Sequence, residues 1–214
     1  RVRAESLIKA AAVMREQRDG LAGGMIKESG KTRREADADV CEAIDFCEYY
    51  ARCAVPLFDR SRLGRFVGEL DAVWHQPKGV AVVISPWNFP LAICTGMTVA
   101  ALVTGNTVIC KPAEQTPGIA SILCDIVRQG MVAAGVPAKL ASEVLHFCPA
   151  PGETTGAALV RDPRVAMVAF TGSRDVGLDI LSAAAPFSPF AAPTLQTTAP
   201  THVKHVVCEM GGKN

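Results

Sequence analysis

The sequence predicts an α/β fold: a doubly wound, mostly parallel sheet preceded by N-terminal helices and an extended arm. From residue 79 onward, short β-branched apolar runs alternate with amphipathic segments long enough to cross back over a sheet. Residues 1 to about 55 instead carry apolar positions at helical spacing. Between the two, residues 64–77 alternate in polarity around Trp74, which suits a short hairpin or arm.

The elements follow in order. Leu7, Ile8, Ala11 and Met14 recur at helical spacing, and Gly30 closes a turn after Lys27, Glu28 and Ser29. Thr32 and Glu35 form a capping box that opens a long helix with Ala36, Val40, Ala43, Cys47 and Tyr50 on one face. With the arm, these helices make a first unit, 1–78, and residues 79–214 make the second. In the second unit strands are expected at 80–84, 107–110, 143–147, 165–170 and 203–208. Crossover helices are expected at 89–103, 115–133, 153–160 and 174–184. The stretch 185–200, with prolines at 186, 189, 193 and 200, reads as a surface loop.

Composition narrows the chemistry. The 214 residues, 49% hydrophobic and 20% charged, suffice for a sizeable core. A net charge of +1 gives no reason to expect nucleic acid or an anionic membrane as partner, so a small molecule is the expected one. No stretch has the length of a membrane span and the N-terminus lacks a secretory apolar region, which points to a cytoplasmic protein. The chain starts at Arg1 with a helical pattern already running, so it is expected to begin inside a longer protein, and its end is open to the same reading. None of the eight cysteines forms a C-x-x-C pair, and Cys41, Cys47 and Cys53 point to three faces of one helix. His202 and His205 would face opposite sides of a strand. Reduced thiols, with neither metal site nor disulfide framework, are expected.

Chemistry is expected in the loops at the carboxyl ends of the strands, where open α/β sheets bind ligands. The stretch ISPWNFP, residues 84–90, holds Asn88 between Pro86 and Pro90 directly after an apolar strand. Gly172 and Ser173 follow the strand VAMVAF and open a helix, which makes a phosphate cradle, although any strand-to-helix turn can contain these residue types. No G-x-G-x-x-G fingerprint is present. Lys111 and Glu114 flank a rigid proline; they suit a ribose and its hydroxyls, or else form a solvated surface pair. A carboxylate on an adenosine ribose would repel a 2′-phosphate and so select NAD over NADP. Glu209 follows an apolar run and precedes two glycines, as a general base or a helix-capping carboxylate would.

Taken together, ISPWNFP, GNTVICKPAEQTP, VAFTGSRDVG and CEMGGKN resemble the aldehyde dehydrogenase superfamily over nearly the whole chain. The wording around them looks most like the 1-pyrroline-5-carboxylate dehydrogenase branch, which oxidises L-glutamate γ-semialdehyde in proline breakdown. The resemblance implies a Rossmann-like NAD-binding domain, an aldehyde substrate and a homo-oligomer at full length. It makes Asn88 the donor that steadies an oxyanion, and Glu209 the base that activates the deacylating water. It assigns Lys111 and Glu114 to the adenosine ribose, and Phe170, Thr171, Gly172 and Ser173 to the pyrophosphate turn. Val176 becomes a wall of the adenine site, and Ser85, Pro86 and Trp87 line the cofactor cleft.

Three departures matter. The nucleophilic cysteine of such proteins lies downstream of the glutamate motif, beyond Asn214, so the isolated chain is expected not to turn over aldehyde and to remain an NAD-binding fragment. Cys208 cannot replace it, because adjacent strand residues point to opposite faces. Ala150 stands where similar proteins usually carry glycine, while Gly152 and Gly156 remain for the cofactor. The proline-rich loop at 185–200 is longer than expected.

Overall fold

The computed structural model describes residues 1–185 and 203–211. Three helices come first: α1 (Val2–Glu16), α2 (Arg18–Ser29) and α3 (Arg33–Leu57). Gly30 ends α2 at φ 70°, a left-handed position that costs glycine nothing. Thr32 and Glu35 close the expected capping box at the start of α3. The arm is a small antiparallel hairpin of β1 (Ser61–Arg62) and β2 (Ala72–Val73), so its first strand lies ahead of the expected 64–77 window.

The sheet contains β3 (Val80–Ile84), β4 (Thr107–Lys111), β5 (Leu145–Phe147), β6 (Val165–Gly172) and β7 (His205–Met210). Their order is β5-β4-β3-β6-β7, and all four pairings are parallel. The chain winds outward from β3 to β5, returns to the centre at β6 and winds outward again to β7. That reversal opens a crevice at the carboxyl ends of β3 and β6.

Between strands run α4 (Ala92–Val103), α5 (Pro117–Ala133), α6 (Ala138–Val144), α7 (Ala157–Arg161) and α8 (Arg174–Ala184). Several boundaries differ from expectation for local reasons. The expected helix at 89–103 begins only at Ala92, after a turn over Pro90 and Leu91 in which the Ile93 N–H already donates to the Phe89 carbonyl at 3.3 Å. Residues 143–144, expected in a strand, complete α6, a helix not foreseen in the sequence. The expected helix at 153–160 begins as a π-turn, Gly152–Gly156, and β7 begins at His205 rather than at residue 203. Most of the proline-rich loop, His202 and residues 212–214 lie outside the described residues.

Alternating side chains divide the sheet between two apolar layers. Ala81, Val83, Val108, Cys110 and Leu145 pack with α1 through α5 in one continuous core. Val82, Val168 and Phe170 pack on the other face with Val160, Ile180 and Ala184. Asn106 fixes the entry to the two central strands: its Oδ1 accepts the N–H groups of Lys78 at 2.7 Å and Gly79 at 3.1 Å. Helix α1 approaches α5 closely. A Cβ on Gly130 would stand 2.5 Å from the Ser6 carbonyl oxygen and 2.7 Å from the Ala10 nitrogen. Leu7, Met14, Ile119, Leu123 and Ile126 are almost wholly buried in this layer. Each such side chain contributes about 1.5–3 kcal/mol, as an upper estimate.

Candidate functional site

A cleft of about 1600 Å³ lies across the carboxyl ends of β3, β4, β6 and β7. All fourteen residues singled out in the sequence line it: Ser85, Pro86, Trp87, Asn88, Lys111, Glu114, Gly152, Gly156, Phe170, Thr171, Gly172, Ser173, Val176 and Glu209. Glu153, Arg161, Asp179 and Ser182 line it as well.

The loop after β3 starts from Ser85, buried, whose N–H donates to the Lys111 carbonyl at 3.3 Å. Trp87, Asn88 and Phe89 are exposed to the cleft, and among the described residues no hydrogen bond holds the Asn88 side chain. The loop ends where the Ala92 N–H, at the start of α4, donates to Asp39 Oδ1 at 2.6 Å. Asp39 belongs to α3 and is itself paired with Lys31, whose Nζ lies 4.1 Å from the centroid of the Phe89 ring.

The loop after β4 carries Lys111, whose side chain is only 2% exposed. Its ammonium donates to the Pro112 carbonyl at 2.8 Å and stands 3.6 Å from Glu114 Oε1. The surface-pair alternative therefore fails for the lysine, which is shut away from water, though the Glu114 side chain remains 48% exposed. Burial pushes the Glu114 carboxyl up, but its own N–H, the Gly152 N–H and Lys111 outweigh that and hold it below its ordinary value. Gly152 and Gly156 leave room here: a Cβ on Gly156 would meet the Lys111 stem at 3.4 Å, and one on Gly152 would meet Glu114 at 3.4 Å. Beyond this loop, Glu28 of α2 accepts the N–H groups of Gly118 at 2.7 Å and Ile119 at 2.9 Å, capping α5.

The loop after β6 leads directly into α8. Ser173 Oγ accepts the Val176 N–H at 3.3 Å and so caps the helix. Helix geometry leaves the N–H groups of Arg174 and Asp175 without an intrahelical acceptor, facing the cleft end of α8. A Cβ on Gly172, the last residue of β6, would lie 2.6 Å from the Phe170 ring, so any larger residue there would force that ring to shift. Thr171 Oγ1 donates to Met97 Sδ at 3.5 Å.

Glu209 pairs in register with Thr171, and its neighbour Cys208 pairs with Phe170. Cys208 turns to the α8 layer, where its thiol donates to the Gly177 carbonyl at 3.8 Å, while Glu209 lines the cleft. Burial raises the Cys208 thiol, and pushes Cys47 up to about 12. Cys94 and Cys110, 3.4 Å apart, are raised by contact with neighbouring thiols and by burial. None of the eight cysteines lines the cleft.

Sequence reasoning missed Asp39, Lys31 and Glu28. A signal for Asp39 was present: it lies three residues after Ala36 and four before Ala43, a charged residue on the apolar stripe of α3. Glu28 carried no such mark.

Comparison with known proteins covers the whole chain. The sequence profile of the aldehyde dehydrogenase family matches residues 1–214. A 1-pyrroline-5-carboxylate dehydrogenase of Geobacillus thermodenitrificans is 44% identical over 212 residues, which make up 99% of this chain and 38% of that protein. A solved structure of 1-pyrroline-5-carboxylate dehydrogenase from Thermus with bound NAD superposes with a TM-score of 0.84 at 41% identity, covering 99% of this chain and 38% of that one. Proline utilization A from Bdellovibrio bacteriovorus, inactivated by N-propargylglycine, gives a TM-score of 0.85 at 41% identity, over 98% of this chain and 20% of that one. The chain thus spans under two fifths of the curated relatives it matches.

Proposed function

Because the chain belongs to the aldehyde dehydrogenase family, we propose that it is the NAD-binding part of an enzyme that oxidises an aldehyde to a carboxylic acid, with L-glutamate γ-semialdehyde as substrate. One observation carries this reading: three loops and the end of β7 bring Asn88, Lys111, Glu114, Ser173 and Glu209 into a single cleft. Relatives named for 1-pyrroline-5-carboxylate support the substrate, and the Thermus neighbour with bound NAD supports the cofactor.

The residues present fit a dinucleotide. The first-turn N–H groups of α8 and the Cβ-free Gly172 suit a pyrophosphate. The buried Lys111 ammonium and the Glu114 carboxylate suit ribose hydroxyls, and Val176 offers an apolar wall to adenine. When bound, NAD supplies the hydride acceptor.

The chain's own residues do the remaining work. Asn88 donates its side-chain N–H to the oxyanion that develops when a thiolate adds to the aldehyde carbon. Glu209 takes the proton from the water that hydrolyses the resulting thioester. In this reading the thiolate comes from the length of the relatives that this chain does not span. Cys208 faces the wrong layer, and the buried thiols are held protonated.

The test is rapid-mix kinetics on the full-length protein with L-glutamate γ-semialdehyde and NAD. The wild type gives NADH. Glu209→Gln keeps a first-turnover burst but slows later turnovers, whereas Asn88→Ala slows the burst itself by about 10²–10³-fold. A burst unchanged in Asn88→Ala refutes the oxyanion role, and failure of the wild type to form NADH refutes the activity.

A further inference from the structure

The proposed chemistry asks the Asn88 amide to stay still, yet no hydrogen bond from the described residues holds it. Pro86 and Pro90 fix φ at their own positions, and Pro90 also restricts Phe89, but neither constrains Asn88 itself. A restraint of a different kind comes from the N-terminal helices. The Asp39 side chain is 0% exposed and that of Lys31 11%. Asp39 Oδ1 accepts the Ala92 N–H at 2.6 Å, at the far end of the loop. Its other oxygen carries the Lys31 ammonium, which covers the ring of Phe89, the residue next to Asn88, at 4.1 Å. One carboxylate and its counter-ion therefore grip the loop at two points.

The grip is physically sound. Leu91, at the N-cap of α4, has no side chain able to cap, so the carboxylate satisfies an otherwise orphan N–H. A negative charge there is also favoured by the helix dipole. A buried ion pair is a poor choice for stability alone, since well-packed apolar residues serve as well or better. What the pair adds is direction: Asp39 reaches α4 from α3 across 53 residues of sequence.

We infer that Asp39, acting with Lys31, is a positioning residue that fixes the loop 85–91 and so holds the Asn88 amide in place. The oxyanion role gives this anchorage its purpose, but the anchorage is measured without turnover, so the two readings fail separately.

The chain has two tryptophans, Trp74 in the arm and Trp87 inside the loop. In a Trp74→Phe background, the time-resolved anisotropy of Trp87 reports motion of the loop alone. Asp39→Ala and Lys31→Gln are expected to raise the amplitude of the nanosecond component roughly twofold. Asp39→Asn keeps an acceptor for Ala92 but loses the ion pair, and falls between these and the parent. Val40→Ala, a packing loss on the same helix without contact to the loop, leaves Trp87 unchanged. Should Asp39→Ala not fold, Asp39→Asn and Lys31→Gln decide. The inference is overturned if both match Val40→Ala, or if Val40→Ala loosens Trp87 as much as they do. In the full-length protein the same variants should slow acylation while the affinity for NAD holds. Looser Trp87 with unchanged acylation would keep the anchorage and remove the oxyanion role.

Discussion

Replacing Lys111 by methionine separates folding from cofactor binding. The ammonium is almost wholly desolvated, which costs several kcal/mol. Against this stand a charge-assisted hydrogen bond to the Pro112 carbonyl, about 1.5–3 kcal/mol, and the attraction of Glu114 at 3.6 Å. At an effective dielectric of about 20 that attraction would be about 4–5 kcal/mol, but water around the half-exposed Glu114 reduces it to about 1 kcal/mol. Cost and gain nearly cancel. Methionine fills a similar volume and removes both, leaving the Pro112 carbonyl without its donor at about 1 kcal/mol. Stability should therefore change by no more than about 1 kcal/mol. Affinity for NAD should fall by about 10–100-fold, the loss of one charge-assisted contact to ribose. Urea unfolding followed by circular dichroism gives the first quantity, and quenching of Trp87 on titration with NAD gives the second. A loss of more than about 3 kcal/mol with NAD affinity unchanged would make Lys111 a structural cation and refute the reasoning.

Gly130→Ala should destabilise the fold although alanine is the better helix former by about 1 kcal/mol. Its Cβ would press on backbone atoms of Ser6 and Ala10, and such overpacking costs about 1–3 kcal/mol; a higher denaturation midpoint would show that α1 is loosely held. The carboxyl of Glu114 is depressed below its ordinary value, so what it contributes is complete above the usual carboxylate range and is lost as pH falls through the folded value. NAD affinity should accordingly be flat near neutral pH and decline only once pH falls below the ordinary carboxylate range, through the depressed folded value. Glu114→Gln should flatten that decline and shift preference toward NADP; if neither changes, Glu114 does not read the ribose.

The sequence disclosed the sheet best where the signal was local. β3 has the expected bounds, β4 runs one residue further and α8 matches its window. The capping box at Thr32 was legible because both partners lie within one turn. The four loop motifs were legible as sets of residue types, and their convergence follows from parallel strands placing their carboxyl ends on one edge. Less visible was α6, whose seven residues give too little periodicity to show. The π-turn at Gly152–Gly156 depends on Lys111 and Glu114 from a distant loop, and the caps supplied by Asp39 and Glu28 cross 53 and 90 residues. Such contacts are set by packing, which no local pattern encodes.

The docking of α1 on α5 also constrains how the chain can be made. Arg3 Nε donates to the Val103 carbonyl across 100 residues, and the Gly130 contact with Ser6 and Ala10 reaches further still. At about 5–20 residues per second, a ribosome needs several seconds to supply α5 after α1 has emerged. During that time the face of α1 around Ala10 has no α5 to cover it, although α3 can already pack on α1. The first helices are thus completed only when α5 has been made, and for those seconds they are natural clients for a chaperone that binds short apolar segments.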